Sequence, residues 1–153
     1  MNRKFFVSAI LGLFALILLY FQPYKLVVVV GNSMYPTLKD GQILLAKKID
    51  KIEKGDIVVL RPEVDDVVIK RVLYVPGDYY YVLYDHKNAD IVLLDDNYKK
   101  MKDYIEKFGH DGIFEYKISP NYYFVVGDNR EVSDDSRRFG PVDKQFIMYK
   151  IVR

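Results

Sequence analysis

The stretch VVIKRVLYV, residues 67–75, alternates with period two. Val68, Lys70 and Val72 fall on one face of an extended chain and Ile69, Arg71 and Leu73 on the other. It is rich in β-branched residues and stops at Pro76-Gly77-Asp78, a turn signal. It therefore reads as a strand with a lysine set between two valines. The stretch alone leaves two readings of that lysine. It is either an amine kept dry among apolar groups, or an edge-strand lysine that snorkels to water.

The same signals recur outward from this strand. KLVVVV (25–30), QILLAKKI (42–49), DIVVLRP (56–62), YYYVLY (79–84), IVLL (91–94), YYFVVG (122–127) and FIMYKIVR (146–153) are strand candidates. Lys39-Asp40-Gly41 and Lys54-Gly55-Asp56 separate some of them. No helix alternates with these strands, which favours antiparallel, mainly β architecture over a parallel α/β sheet. One helix is expected at about 96–108, where Tyr98, Met101, Ile105 and Phe108 share a face and Gly109 can end it. It is read as a packing helix, and residues 79–119 as a small inserted lobe.

At the N-terminus, residues 5–21 (FFVSAILGLFALILLYF) carry no charge. At 1.5 Å per residue that is roughly 25 Å of helix, slightly short of a bilayer core. Arg3 and Lys4 precede it without an acidic neighbour, which places residues 1–4 in the cytoplasm and 23–153 outside. The bulky YFQPYK that follows does not suit signal-peptide cleavage, so residues 5–22 read as an uncleaved single-pass anchor in the cell membrane, in contact with the lipid bilayer.

Of 153 residues, 23 are basic and 21 acidic, a near balance that argues against a nucleic-acid partner. No cysteine is present, which excludes disulfides, thiolate nucleophiles and cysteine-based zinc sites.

The stretch GNSMYPTL, residues 31–38, puts Ser33 between a run of valines and a Pro-stiffened turn. A nucleophile needs such a fixed setting, although ordinary turns share it. A nucleophile elbow wants G-x-S-x-G before a helix, and Pro36 opposes a helix here. The two histidines, His86 and His110, lie in polar loop contexts and read as solvated. A base for Ser33 must then be something else. A lysine can serve if burial lowers its pKa from about 10.4. A third stretch, VVGDNREVSDDSRRFG (125–140), begins as a strand and becomes a loop in which Asp128, Arg130, Asp134, Asp135, Arg137 and Arg138 alternate in sign. That pattern suits a bonded network that could hold a hydroxyl against the lysine amine.

Together these stretches resemble the bacterial type I signal peptidases, membrane-anchored serine proteases that remove signal peptides. SMYPTL (33–38) is similar to the family's nucleophile box, GDIVVL (55–60) to a structural strand box, KRV…PGD (70–78) to the lysine box, and GDNREVSDDSRRFG (127–140) to the last box. All four occur in family order behind the N-terminal segment.

The resemblance implies a barrel-like, antiparallel catalytic domain with a small helix-containing lobe. It also implies a Ser-Lys dyad with Ser33 as nucleophile and Lys70 as general base, and Ser133 orienting the lysine amine. Asp128, Arg71, Asp135 and Arg137 become supporting salt bridges, and Met34 part of the substrate wall. Strands 27–31 and 67–70, with Val29, Val68 and Ile69, flank an extended precursor cut after an A-x-A-like site. No metal or cofactor is implied. The sequence departs from the family at Gly31, where many members carry a serine that donates to the oxyanion, and at Tyr74, where glycine is common. Three rival readings are a catalytically silent membrane-tethered binding module, a relative of the self-cleaving SOS repressors, and a peptidase dedicated to a narrow client set.

Overall fold

The protein is described by a computed structural model over residues 3–21, 23–62, 67–85, 90–94 and 113–152. In chain order the elements are α1 (Arg3–Phe21), β1 (Tyr24–Val28), β2 (Ile43–Lys48), β3 (Ile57–Leu60), β4 (Val68–Tyr74), β5 (Tyr79–Asp85), β6 (Asp90–Leu94), β7 (Ile113–Lys117) and β8 (Tyr122–Val126). They continue with α2 (Ser136–Phe139), β9 (Val142–Asp143), a 3-10 turn at Lys144–Phe146 and β10 (Ile147–Ile151). The expected helix at 96–108, His86 and His110 lie outside the described residues.

Seven strands form one open sheet in the order β1-β2-β10-β3-β4-β8-β9, and β6-β5-β7 form a second, three-stranded sheet. Every pairing is antiparallel, as the absence of alternating helices predicted. The small sheet falls within the expected lobe. Its third strand, β7, was not foreseen: IFEYK is too short and too mixed to stand out alone. It pairs with β5 in a register that sets Tyr116 opposite Tyr80, with the two rings stacked 5.4 Å apart.

The large sheet buries side chains on both faces. On one, Val58, Leu60, Val72 and Val125 join Tyr123, Val142 and Ile147. On the other, Ile57 and Val59 join Val29, Met34, Leu38, Ala46 and Ile151. This two-sided burial explains why IVVL in β3 is an unbroken apolar run, whereas β4 alternates.

Two boundaries moved for local reasons. The first strand stops at Val28 instead of continuing to Val30, because the chain turns at Gly31, whose φ of +82° lies in the left-handed region open to glycine. The last strand starts at Ile147, because Asp143 accepts from the Gln145 N–H and caps a 3-10 turn that takes up Phe146.

Among the described residues, no helix is long and apolar enough to cross a membrane. The span expected over residues 5–22 therefore does not follow from the fold.

Candidate active site

Ser33 sits in the turn after β1, and that turn is pinned from several sides. The Gly31 N–H donates to Asp40 Oδ1 at 2.8 Å. The Leu38 N–H donates to the Met34 carbonyl at 2.9 Å, while the side chains of Met34 and Leu38 are buried in the core below. Across the molecule, the Asn129 N–H donates to the Ser33 carbonyl at 2.9 Å, and Asn129 Nδ2 donates to the Asn32 carbonyl at 3.1 Å. The hydroxyl-bearing turn is thus tied to the loop that follows β8.

Lys70 is buried, with 3% of its surface exposed. Val68 and Val72 flank it along β4, and the register of β3 and β4 sets Val58 directly opposite. No carboxylate stands within ion-pair distance of it among the described residues. Burial pushes its pKa below the ordinary 10.5; the fields of Asp135 and Asp134 pull it partly back and that of Arg137 lowers it further. Of the two readings that the strand left open, the dry amine is the one the fold adopts.

Ser33 and Lys70 line one cleft of about 600 Å³, whose walls include Val68, Val132, Phe139 and Phe146. β8 takes up pairing with β4 only from Arg71 onward, so among the described residues the β8-side edge of Val68–Lys70 carries no strand partner. β1 is the last strand at its end of the sheet, so among the described residues its outer edge is unpaired as well.

The loop 127–140 is the bonded network that its alternating charges predicted. Arg71 Nε and Nη2 grip Asp128 Oδ1 and Oδ2 at 2.7 and 2.6 Å, and Arg71 Nη1 donates to the Gly55 carbonyl at 2.8 Å. Asp135, 1% exposed, caps α2 and accepts from the Gly127 N–H (2.9 Å) and from Arg137 Nε and Nη2 (2.8 and 2.9 Å). Burial pushes the Asp128 and Asp135 carboxyls up. The hydrogen bonds from Arg71 and Thr37 at the first, and from Arg137 and the Gly127 N–H at the second, outweigh it and hold both below 3.8.

Three sequence expectations land differently. Ser133 Oγ is buried but makes no hydrogen bond, so the bond expected to the lysine amine is not formed in this structure. Met34, expected on the substrate wall, is 1% exposed and belongs to the core under the turn, where its side chain anchors Ser33 from below. Val29 and Ile69 pack on that same core face, while Val68 does line the cleft.

Two residues escaped the sequence reading. A Cβ on Gly127 would lie 2.2 Å from Ser133 Oγ and 2.5 Å from the Ser33 carbonyl, so the site closes only around a glycine. The buried Ser136 Oγ accepts from the Val125 N–H at 3.0 Å and fixes α2 to β8. Only the glycine at a strand end gave a hint in the sequence.

The family model described as signal peptidase, peptidase S26, matches residues 2–152. The chain belongs to the signal peptidase family. Its relatives include signal peptidase IB of Staphylococcus aureus, 39% identical over 142 residues, with 79% of this chain and 72% of that protein covered. Signal peptidase I S of Bacillus subtilis is 40% identical over 129 residues, with 76% and 66% covered. A crystal structure of a signal peptidase I from Enterococcus faecalis superposes with a TM-score of 0.43 at 26% identity, covering 68% of this chain and 99% of that one, a likeness too low to bear on the fold. As a signal peptidase, this chain is a serine peptidase that removes signal peptides from precursor proteins.

Proposed function

We propose that this signal peptidase works by a Ser-Lys dyad, with Ser33 as nucleophile and Lys70 as a neutral general base. The observation that carries the reading is the burial of Lys70 in the cleft that Ser33 also lines. A lysine in water is a cation and cannot accept a proton; one flanked by Val58, Val68 and Val72 is disposed to be a free amine.

An extended precursor segment adds between the open edge at Val68–Lys70 and the chain at Val29–Gly31. The Lys70 amine takes the Ser33 proton as Oγ attacks the scissile carbonyl. The resulting ammonium returns the proton to the leaving amine, which departs with the mature chain. Water, deprotonated by the same amine, then hydrolyses the acyl-enzyme and frees the signal peptide. Ser133, buried behind the site, positions the amine as the precursor closes the cleft. Arg71–Asp128 and Arg137–Asp135 hold the two walls in register.

The oxyanion rests on the Ser33 N–H, which donates to no acceptor among the described residues. Gly31 cannot substitute for the serine of other members: it has no hydroxyl, and its N–H is already given to Asp40. Loss of one such donor typically costs about 10²–10³ in rate, so turnover is modest unless the precursor or a water supplies another.

Residues 5–22 tether this catalytic domain, 23–153, to a bilayer with the N-terminus in the cytoplasm. Support comes from the uncharged stretch 5–21 behind Arg3 and Lys4, and from the described side chains of α1. Phe6, Val7, Ile10, Leu11, Leu13, Phe14 and Leu16 are exposed all round that helix, as suits a lipid solvent. Tethering holds the site near the scissile bond as it emerges. The preferred site is A-x-A-like.

The test is incubation of the detergent-solubilised chain with a precursor bearing an A-x-A site. The parent protein should cleave it once, after that motif. Ser33→Ala and Lys70→Ala should not. Intact precursor with the parent protein would favour the catalytically silent reading.

A further inference from the structure

One charged pair in the cleft has no part in the chemistry above. Asp134 and Arg138 lie one helical turn apart, and the guanidinium grips the carboxylate through Nε and Nη2. Both line the cleft that holds Ser33 and Lys70. Their side chains are exposed, 57% for Asp134 and 74% for Arg138. An exposed i,i+4 pair contributes little to stability. It stands, however, beside an amine whose use depends on staying uncharged.

Among the described residues, the charged groups acting on that amine are few. Asp135 and Asp134 favour its cation and Arg137 opposes it. Asp135 is committed: it is buried and takes three hydrogen bonds from Arg137 and one from the Gly127 N–H. From β3 the facing residue is Val58, and along β4 the same-face neighbours are valines. Asp134 is therefore the adaptable carboxylate on the wall. Left to itself, it could turn toward Lys70 and stabilise the ammonium, which is the inactive form.

We propose that Arg138 is a positioning residue that withholds the Asp134 carboxylate from the Lys70 amine. This rests on the reading of Lys70 as the general base. The pair also gives the wall a dipole with nearly no net charge. When a precursor covers the cleft and water leaves, a lone carboxylate there would act on the amine through a lower dielectric, and the paired one does so much less. Removal of Arg138 frees Asp134 and favours the ammonium. Removal of Asp134 takes away a carboxylate that favours the ammonium, and so disfavours it. Removal of both restores near neutrality.

The experiment is the pH dependence of kcat/KM for precursor cleavage by the full chain in detergent, in Arg138→Gln, Asp134→Asn and the double variant, with Lys70→Ala as a control. The acid limb should move to higher pH by about 0.5 unit in Arg138→Gln, a loss of roughly threefold on that limb that is recovered at high pH. It should move to lower pH in Asp134→Asn and return close to the parent position in the double variant. Both shifts should shrink in 1 M salt, where the Debye length is about 3 Å. A merely structural pair would lower kcat in all three variants without moving the limb in opposite directions. If Lys70→Ala is inactive and the three limbs coincide, the role of Arg138 is overturned while the dyad stands. If Lys70→Ala is active, the dyad itself fails and the role of Arg138 falls with it.

Discussion

The backbone N–H of Asn129 donates to the carbonyl of Ser33 at 2.9 Å, across 96 positions of sequence. The turn with the hydroxyl and the loop with Ser133 and Asp135 are thereby one unit. The Asn129 side chain repeats the link one residue earlier, at the Asn32 carbonyl. Asn129→Ala removes only this second bond, which is worth about 1 kcal/mol. Precursor cleavage should slow severalfold and Tm should fall by a few degrees, as read by single-turnover kinetics and calorimetry. An unchanged rate would show that the backbone bond alone holds the turn.

Gly127 makes that unit possible. Alanine there would place a methyl 2.2 Å from Ser133 Oγ and 2.5 Å from the Ser33 carbonyl. The Ser33 carbonyl cannot yield freely, because it is backbone and belongs to the Asn129 bond. Gly127→Ala should lower stability by about 1–3 kcal/mol through overpacking and should lower the rate by more than that destabilisation explains. Denaturant unfolding and single-turnover cleavage, measured on one preparation, check both.

Lys70 should also be a burden on the fold. An amine buried among valines is disfavoured relative to an apolar side chain of the same length. Lys70→Met should abolish cleavage and raise unfolding free energy at neutral pH by about 1–3 kcal/mol. The pH dependence follows from linkage. Where the native lysine is neutral and the unfolded one charged, the unfolded state binds one proton more, so stability rises with pH up to the ordinary lysine value near 10.5. In Lys70→Met that slope should vanish. A variant less stable than the parent would mean that the amine makes a favourable interaction not seen here.

The two arginine-paired acids carry the opposite end of the pH scale. Asp128 and Asp135 titrate below 3.8 in the fold, so each contributes stability that is present above about pH 4 and lost as pH falls through its native value. Asp128→Asn and Asp135→Asn should each cost stability at pH 7 and flatten the acid limb of the stability curve. Removal of a partner from a buried pair costs about 3–5 kcal/mol. Asp135, with its carboxylate shielded completely, should approach that range, and Asp128, partly exposed, should fall below it. Urea unfolding between pH 3 and pH 7 checks the order.

Much of this was legible in the sequence, for reasons visible in particular residues. Period-two spacing placed Lys70 between Val68 and Val72, and the fold keeps that face. Alternating charge in 127–140 foretold a network, and Arg71–Asp128 and Arg137–Asp135 are its bonds. What periodicity could not reveal was depth. The resemblance made Val29 and Met34 substrate-site residues, yet both face the core, because the turn that exposes a hydroxyl must be anchored by its neighbours. Nor could spacing reveal close approach between distant segments. Gly127 meets Ser33 and Ser133 only when the sheet is folded. β7 needed a partner as well: its place comes from stacking of Tyr116 on Tyr80 and not from its own pattern.

The central claim is that the Lys70 amine is uncharged in the folded chain near neutral pH. Lysine labelled with ¹³C at the ε carbon reports that charge directly, and Lys70→Met assigns the signal. Titration of the detergent-solubilised protein should show one lysine with its midpoint below 10.5, absent from the variant. A Lys70 signal that titrates with the exposed lysines, at or above 10.5, would contradict the account.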